Sequence, residues 1–229
     1  PSAPPPPPLV LLPTGSGKSL CYQLPALFLA ERNEQAGRPR GVTLVLSPLI
    51  ALMEDQVAAL KKKGVRAEYI NSTLDKRERA RRCRALAEGR YDLIYATPER
   101  LLKPDFRAAL GLPHSPTSPS PSPSSPQDSK TQDSKTQHSK TQDPKLPPPL
   151  NLLAIDEAHC ISKWGHDLRP AYARVGQFYA ELNHPRAIAL TATATRPVRD
   201  DIARVLLSAP PSPSPSRLTP SRLQDSRLQ

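Results

Sequence analysis

Aromatic side chains are scarce in this chain, 4% of 229 residues with a single Trp, and only 37% of the residues are hydrophobic. A chain so poor in large apolar groups cannot bury its whole length, so part of it is expected to stay outside any core. Cysteine is nearly absent as well. Cys21, Cys83 and Cys160 are odd in number, far apart and in no metal-ligand spacing. That argues against a disulfide framework and a zinc site, and it fits buried thiols in a reducing intracellular compartment. No apolar run approaches the roughly 20 residues of a membrane span. The N-terminus shows no charged-then-apolar signal segment either.

Proline, by contrast, is abundant at 30 residues and clustered, at positions 4–8, 113–149 and 210–220. Setting those stretches aside leaves two ordinary blocks, 9–112 and 150–207, together large enough for one core. One domain split by an insertion is the simplest reading. The insertion is low in complexity. Ser and Pro alternate through 115–125, and a five-residue unit then repeats as QDSKT, QDSKT, QHSKT and QDPK. The tail after 207 repeats in the same manner. Neither has apolar residues to offset its ordering entropy, so disorder is expected at 1–8, 113–149 and 208–229. Tandem repeats of this kind are equally read as translated non-coding sequence in a gene model.

The charge balance is basic, 32 Lys+Arg against 21 Asp+Glu. Within 61–90 alone, eleven cations face four acids. Such a stripe suits a polyanion partner, nucleic acid first, or else is a solvated helix face.

Short apolar runs alternate with amphipathic stretches in both blocks. Strands are expected at 9–12, 42–47, 67–70, 93–97, 152–156 and 187–191, several of them continuous apolar runs covered on both faces. Helices are expected at 19–32, 50–63, 76–88, 172–182 and 198–207. The third has Asp75 and Glu78 as a capping box, Gly89 behind, and Ala80, Cys83 and Ala87 on its inner face. This rhythm means a parallel α/β sheet with ligands at the carboxyl ends of its strands.

Two motifs fall at such ends. Pro13-Thr14-Gly15-Ser16-Gly17-Lys18-Ser19 joins the first strand to the first helix. A polyphosphate needs several converging backbone N–H groups, which a tight glycine loop in front of a helix N-terminus supplies. Lys18 reaches the outer phosphates and the Ser19 hydroxyl suits Mg²⁺. Leu12 stands where the general pattern has Gly. The second motif is an apolar strand ending in Asp156-Glu157-Ala158-His159. Alone, that acid pair is a solvated turn. Beside a phosphate loop, Asp156 suits the metal and Glu157 the attacking water of phosphoryl transfer.

The motifs resemble those of RecQ DNA helicases. They are Gly17-Lys18-Ser19-Leu20-Cys21-Tyr22-Gln23-Leu24-Pro25-Ala26, Ser47-Pro48-Leu49-Ile50-Ala51-Leu52-Met53-Glu54-Asp55-Gln56 and Thr97-Pro98-Glu99-Arg100. Asp156 to Ser162 with Trp164-Gly165-His166-Asp167 and Arg169-Pro170, and Ala189-Leu190-Thr191-Ala192-Thr193-Ala194-Thr195, complete the set. The resemblance spans both blocks and implies a single RecA-like P-loop NTPase motor domain, an ATP- and Mg²⁺-dependent DNA helicase moving 3′ to 5′. ATP would sit on Thr14, Gly15, Ser16, Gly17, Lys18 and Ser19. Ser19 and Asp156 would hold the metal, with Lys18, Asp156 and Glu157 catalytic. Ser47, Thr97 and Arg100 would lie where the motor grips DNA, with Thr191, Thr193 and His159 coupling nucleotide state to that grip.

Trp164, His166 and Arg169 would sense single-stranded DNA, a Trp face stacking on any base for about 1–3 kcal/mol. The implied partners are single-stranded or partly duplex DNA and a second RecA-like motor domain, with no membrane and no zinc site. The compartment follows the host, nucleus in a eukaryote and cytoplasm in a bacterium. Departures from the family are Leu168 for Phe, Lys163 for Gln, and a Pro-rich start where adenine-recognising helices are expected. No second motor domain, zinc module or winged helix is expected after Leu207.

Overall fold

The structure, a computed structural model, describes residues 7–113, 147–163 and 171–207. The segments expected to be disordered therefore lie almost wholly outside the described residues. So does the expected sensing loop 164–170 with Trp164, His166 and Arg169.

Six strands form one all-parallel sheet: β1 (Leu9–Leu11), β2 (Val42–Leu46), β3 (Ala67–Ile70), β4 (Leu93–Ala96), β5 (Leu150–Ile155) and β6 (Ala187–Thr191), in the order β1-β6-β5-β2-β4-β3. Both sequence blocks contribute, because β5 and β6 sit between β1 and β2. The central strands β2 and β4 are buried throughout, as their unbroken apolar runs require when both faces are covered.

Side chains alternate across the pleat and so feed two cores. On one face Val45, Tyr95, Ala154 and Leu190 pack against Tyr22 and Ala26 of α1 (Leu20–Gln35) and Met53 and Val57 of α2 (Ile50–Lys62). On the other, Leu44, Leu46, Ile94, Leu153 and Ile155 meet α3 (Lys76–Ala87), α4 (Pro104–Ala109), α5 (Val175–Glu181) and α6 (Arg196–Leu207). Each large side chain fully buried here, such as Leu44 or Phe106, stabilises the fold by about 1.5–3 kcal/mol.

The start of α3 is half a capping box. Asp75 accepts from the Glu78 N–H at 2.8 Å, but the Glu78 carboxylate turns to Arg81 and Arg82 and not back to the cap. The inner face of α3 is also rotated from the sequence expectation. Cys83 and Leu86 are buried and Ala80 is exposed, because the longer Leu takes the core position. Near the point where the chain leaves the first block, Arg107 is buried. It donates to the carbonyls of Leu101 and Pro113 and to Glu181 at 2.7 Å, tying that exit to α5.

Candidate nucleotide site and strand-end surface

The loop after β1 is built for open backbone. Gly15 and Gly17 hold φ of 84° and 80°, the left-handed region that a side chain strains, and a Cβ at Gly15 would meet nothing within 4 Å. Ser16 closes the turn by donating from both its amide and hydroxyl to the Pro13 carbonyl. Among the described residues, the amides of Gly15, Gly17, Lys18 and Ser19 donate to no protein acceptor. Ser19 occupies the N-cap of α1 without a side-chain capping bond, so its hydroxyl is uncommitted. Unpaired N–H groups at the positive end of a 16-residue helix are what an anionic phosphate requires.

Across the strand ends lies a continuous chain of contacts. Lys18 Nζ meets Glu157 Oε1 at 3.0 Å. Glu157 Oε2 lies 3.3 Å from His159 Nδ1, which lies 3.0 Å from Thr191 Oγ1. Thr191 donates its own hydroxyl proton to the Thr193 carbonyl at 3.0 Å. That leaves Thr191 Oγ1 as an acceptor, so Nδ1 carries the histidine proton and is shared between Thr191 and Glu157. Glu157 itself sits at φ 50° and ψ 46°, a left-handed conformation uncommon outside glycine, which turns its carboxylate back over the loop.

Asp156 directly follows β5, its amide bonded to the Leu46 carbonyl at 2.8 Å, and its own carbonyl accepts from the buried Tyr172 hydroxyl at 2.9 Å. Burial first, then the neighbouring Glu157 charge, raises its carboxyl above the ordinary aspartate range, with Lys18 opposing.

The expected DNA-facing residues lie on the same end of the sheet but inside it. Ser47, Thr97 and Arg100 are all buried. Arg100 Nη2 meets both oxygens of Asp105 at 2.8 Å, and the guanidinium lies 5.8 Å from the Phe106 ring. Arg100 thus braces the turn after β4 from within. These turns border a cleft of about 570 Å³, over which Lys103 is the exposed cation.

Sequence reasoning missed the half-buried polar pairs behind the site. Tyr22 donates to Gln56 at 2.7 Å, and Gln23 donates to the Tyr95 hydroxyl at 3.1 Å. Burial pushes the Tyr95 hydroxyl up to about 12 and that of Tyr22 further. The available signal was a pair of glutamines near apolar helix positions.

Fold and site together define a P-loop motor domain of the helicase kind. The sequence pattern of the DEAD/DEAH box helicase family matches residues 8–116. Over 198 residues the chain is 42% identical to the ATP-dependent DNA helicase RecQ of Bacillus subtilis, covering 86% of this chain and 26% of that protein. It is 37% identical to the probable ATP-dependent DNA helicase RecS of the same organism, covering 86% and 31%. Among solved structures, the Hef helicase domain of Pyrococcus furiosus superposes with a TM-score of 0.52 at 18% identity, covering 88% of this chain and 34% of that one. That likeness supports the RecA-like fold. The chain is similar to the first motor domain of RecQ-type helicases, and it spans about a quarter to a third of the length of these curated relatives.

Proposed function

We propose that this chain is the nucleotide-hydrolysing motor domain of an ATP-dependent DNA helicase that moves 3′ to 5′ on single strands. The observation that carries the reading is the unbroken contact chain Lys18–Glu157–His159–Thr191. It joins Lys18, the Glu157 carboxylate and the end of β6 in one unit of contacts, which supports reading Lys18 as the phosphate-seeking cation and Glu157 as the water-orienting carboxylate.

The residues present fit a metal-bound polyphosphate. Four loop amides lack acceptors, and the Ser19 hydroxyl is uncommitted. Asp156 and Glu157 bring two carboxylates against the single Lys18. Ser19 and Asp156 would hold a divalent cation, taken here as Mg²⁺, and Thr14 to Ser19 would hold ATP. A bound metal–ATP unit would supply the phosphoryl group and charge neutralisation for hydrolysis. The protein's part is distinct. Lys18 exchanges Glu157 for the outer phosphates, and Glu157 is then free to accept a proton from water through an oxygen. His159 keeps its Nδ1 proton toward Thr191 and registers the change at the end of β6. Ser47, Thr97 and Arg100 shape the strand-end turns over which DNA would pass, Arg100 by bracing from inside.

An arginine supplied by a second motor domain is worth roughly 10³–10⁵ in rate in comparable enzymes, so the test is made on binding and single turnover. Glu157→Gln should retain Mg-ATP affinity in calorimetry while single-turnover hydrolysis drops about a hundredfold or more. Hydrolysis at the parent rate in that variant would remove Glu157 from the chemistry. Short DNA and RNA oligonucleotides, compared in anisotropy titrations, identify the preferred strand, with DNA expected to bind more tightly.

A further inference from the structure

At the opposite, amino-terminal end of the sheet lies a cleft of about 330 Å³ with no acidic residue in its lining. Arg32, Arg38 and Arg186 open onto it, and all three are exposed. Among the described residues none of them forms an ion pair. Two acids of the same region are already engaged. Glu34 pairs with Arg40, and Asp92 accepts from both Arg40 and Arg66 at 2.6–3.3 Å. Three guanidiniums that form no ion pair among the described residues and line a cleft without an acid give it positive potential.

The setting is rigid. The Arg38 amide donates to the Asn33 carbonyl at 2.9 Å, and the Arg186 carbonyl accepts from Leu153 at 2.8 Å. Asn33 and Asn151 form the floor, both donating to the Arg40 carbonyl. Gly41 lets this floor close up, for a Cβ there would fall 2.4 Å from the Asn151 side-chain oxygen and 2.7 Å from the Pro149 carbonyl.

Next to it, sharing Pro39 and Pro149 as lining, is a second cleft of about 560 Å³ lined mainly by proline, Pro39 and Pro147 to Pro149. Its charged lining residues are Arg40, which has partners in Glu34 and Asp92, and Glu88, which pairs with Arg90. A cationic cleft beside a stiff apolar one matches a chain carrying carboxylates next to apolar side chains, and both volumes are of ligand-pocket size.

We infer that these paired clefts bind an acidic-apolar peptide segment of a protein partner. Arg32, Arg38 and Arg186 take its carboxylates, and the proline-lined cleft takes its apolar side chains. The clefts lie at the end of the sheet away from Lys18, Glu157 and the strand-end surface, so peptide and nucleotide bind without competing. The inference does not depend on the helicase reading.

The test uses the 229-residue chain and a fluorescein-labelled hexapeptide of alternating Asp and Leu, followed by anisotropy. Saturable binding is expected, weakened about tenfold or more by Arg38→Glu with Arg186→Glu, while Mg-ADP affinity and the melting temperature stay at parent values. An Asp–Ser hexapeptide of equal charge should bind clearly less well, because it has nothing for the proline cleft. A thymidine hexamer should not displace the Asp–Leu peptide. The inference is overturned by no saturable binding, or by equal binding to the double variant. Equal affinity for the Asp–Ser peptide, or displacement by the thymidine hexamer, overturns it too, the latter making the site a phosphate site. Should the double variant melt early, Arg32→Gln with Arg38→Gln provides the same comparison at smaller charge change.

Discussion

Two charge networks dominate this molecule, and they differ in whether their groups are already satisfied. One wraps the β3 edge of the sheet. Lys61 from the α2 side and Arg82 from α3 meet on the buried Glu68, both at 2.7 Å, and Arg82 also takes Glu78 and lies 4.3 Å from the Tyr69 ring. The other crosses the strand ends from Lys18 to Thr191. In the first, each of these cations has at least one acid and the edge strand is guarded against pairing with another chain. In the second, loop amides and the Ser19 hydroxyl lack partners, and burial with the neighbouring Glu157 charge raises the Asp156 carboxyl. A satisfied network is scaffold. The unsatisfied one, toward the other edge of the sheet, is where a ligand is proposed to complete the structure.

Breaking the unsatisfied network should have the largest functional effect. Lys18→Ala is expected to lower Mg-ADP affinity by more than about a hundredfold, read by calorimetry, with the melting temperature almost unmoved. Equal affinity in variant and parent would remove the phosphate-loop assignment. Breaking the satisfied network should do the reverse. Glu68→Gln leaves Arg82 and Lys61 short of a buried counter-charge and should cost about 2–3 kcal/mol in denaturant unfolding, with Mg-ADP affinity retained.

Asp156→Asn sharpens the contrast through pH. Because the folded state raises the Asp156 carboxyl, the native protein holds that proton more tightly than the unfolded chain does. Stability is therefore lost as pH rises from the unfolded aspartate value through the raised native one. The Asn variant should melt higher than the parent at neutral pH, and the two curves should converge in acid. A variant less stable than the parent at neutral pH contradicts this account.

The smallest effect belongs to the outward face of α3. Arg79 and Arg82 are partly buried and bonded, so the informative pair is Arg77→Gln with Arg84→Gln, both exposed. Stability should stay within about 0.5 kcal/mol. Oligonucleotide affinity should shift only at low salt, since the Debye length at physiological salt is about 8 Å. A large loss at physiological salt would make α3 part of the nucleic-acid path.

The strands were legible because a parallel sheet covered on both faces writes itself as apolar runs, and all six expected runs formed strands. The loop 13–19 and the turn 156–159 stood out in sequence because the chemistry proposed for them depends on a few adjacent residues. What escaped depended on long-range packing. The short helix Pro104–Ala109 has too few turns to show a period, and Ala80 and Leu86 compete for one face in a way that only the neighbouring core decides. Arg100 reads as an exposed cation in sequence, yet Asp105 and Phe106, five and six residues on, draw it inside. Nothing in the sequence pairs Lys18 with Glu157 across 139 positions except the presence of both motifs.

The phosphate loop hangs from β1, a three-residue strand at the edge of the sheet among the described residues, held to β6 by the register Leu11↔Thr191 and by the Leu12 amide on the Thr191 carbonyl at 3.2 Å. A short edge strand is among the first elements to open in native fluctuations, and a ligand that binds only the closed form slows that opening in proportion to its occupancy. If nucleotide binds the loop as proposed, deuterium uptake at the amides of Leu11 and Leu12 should therefore gauge its occupancy, readable without any turnover.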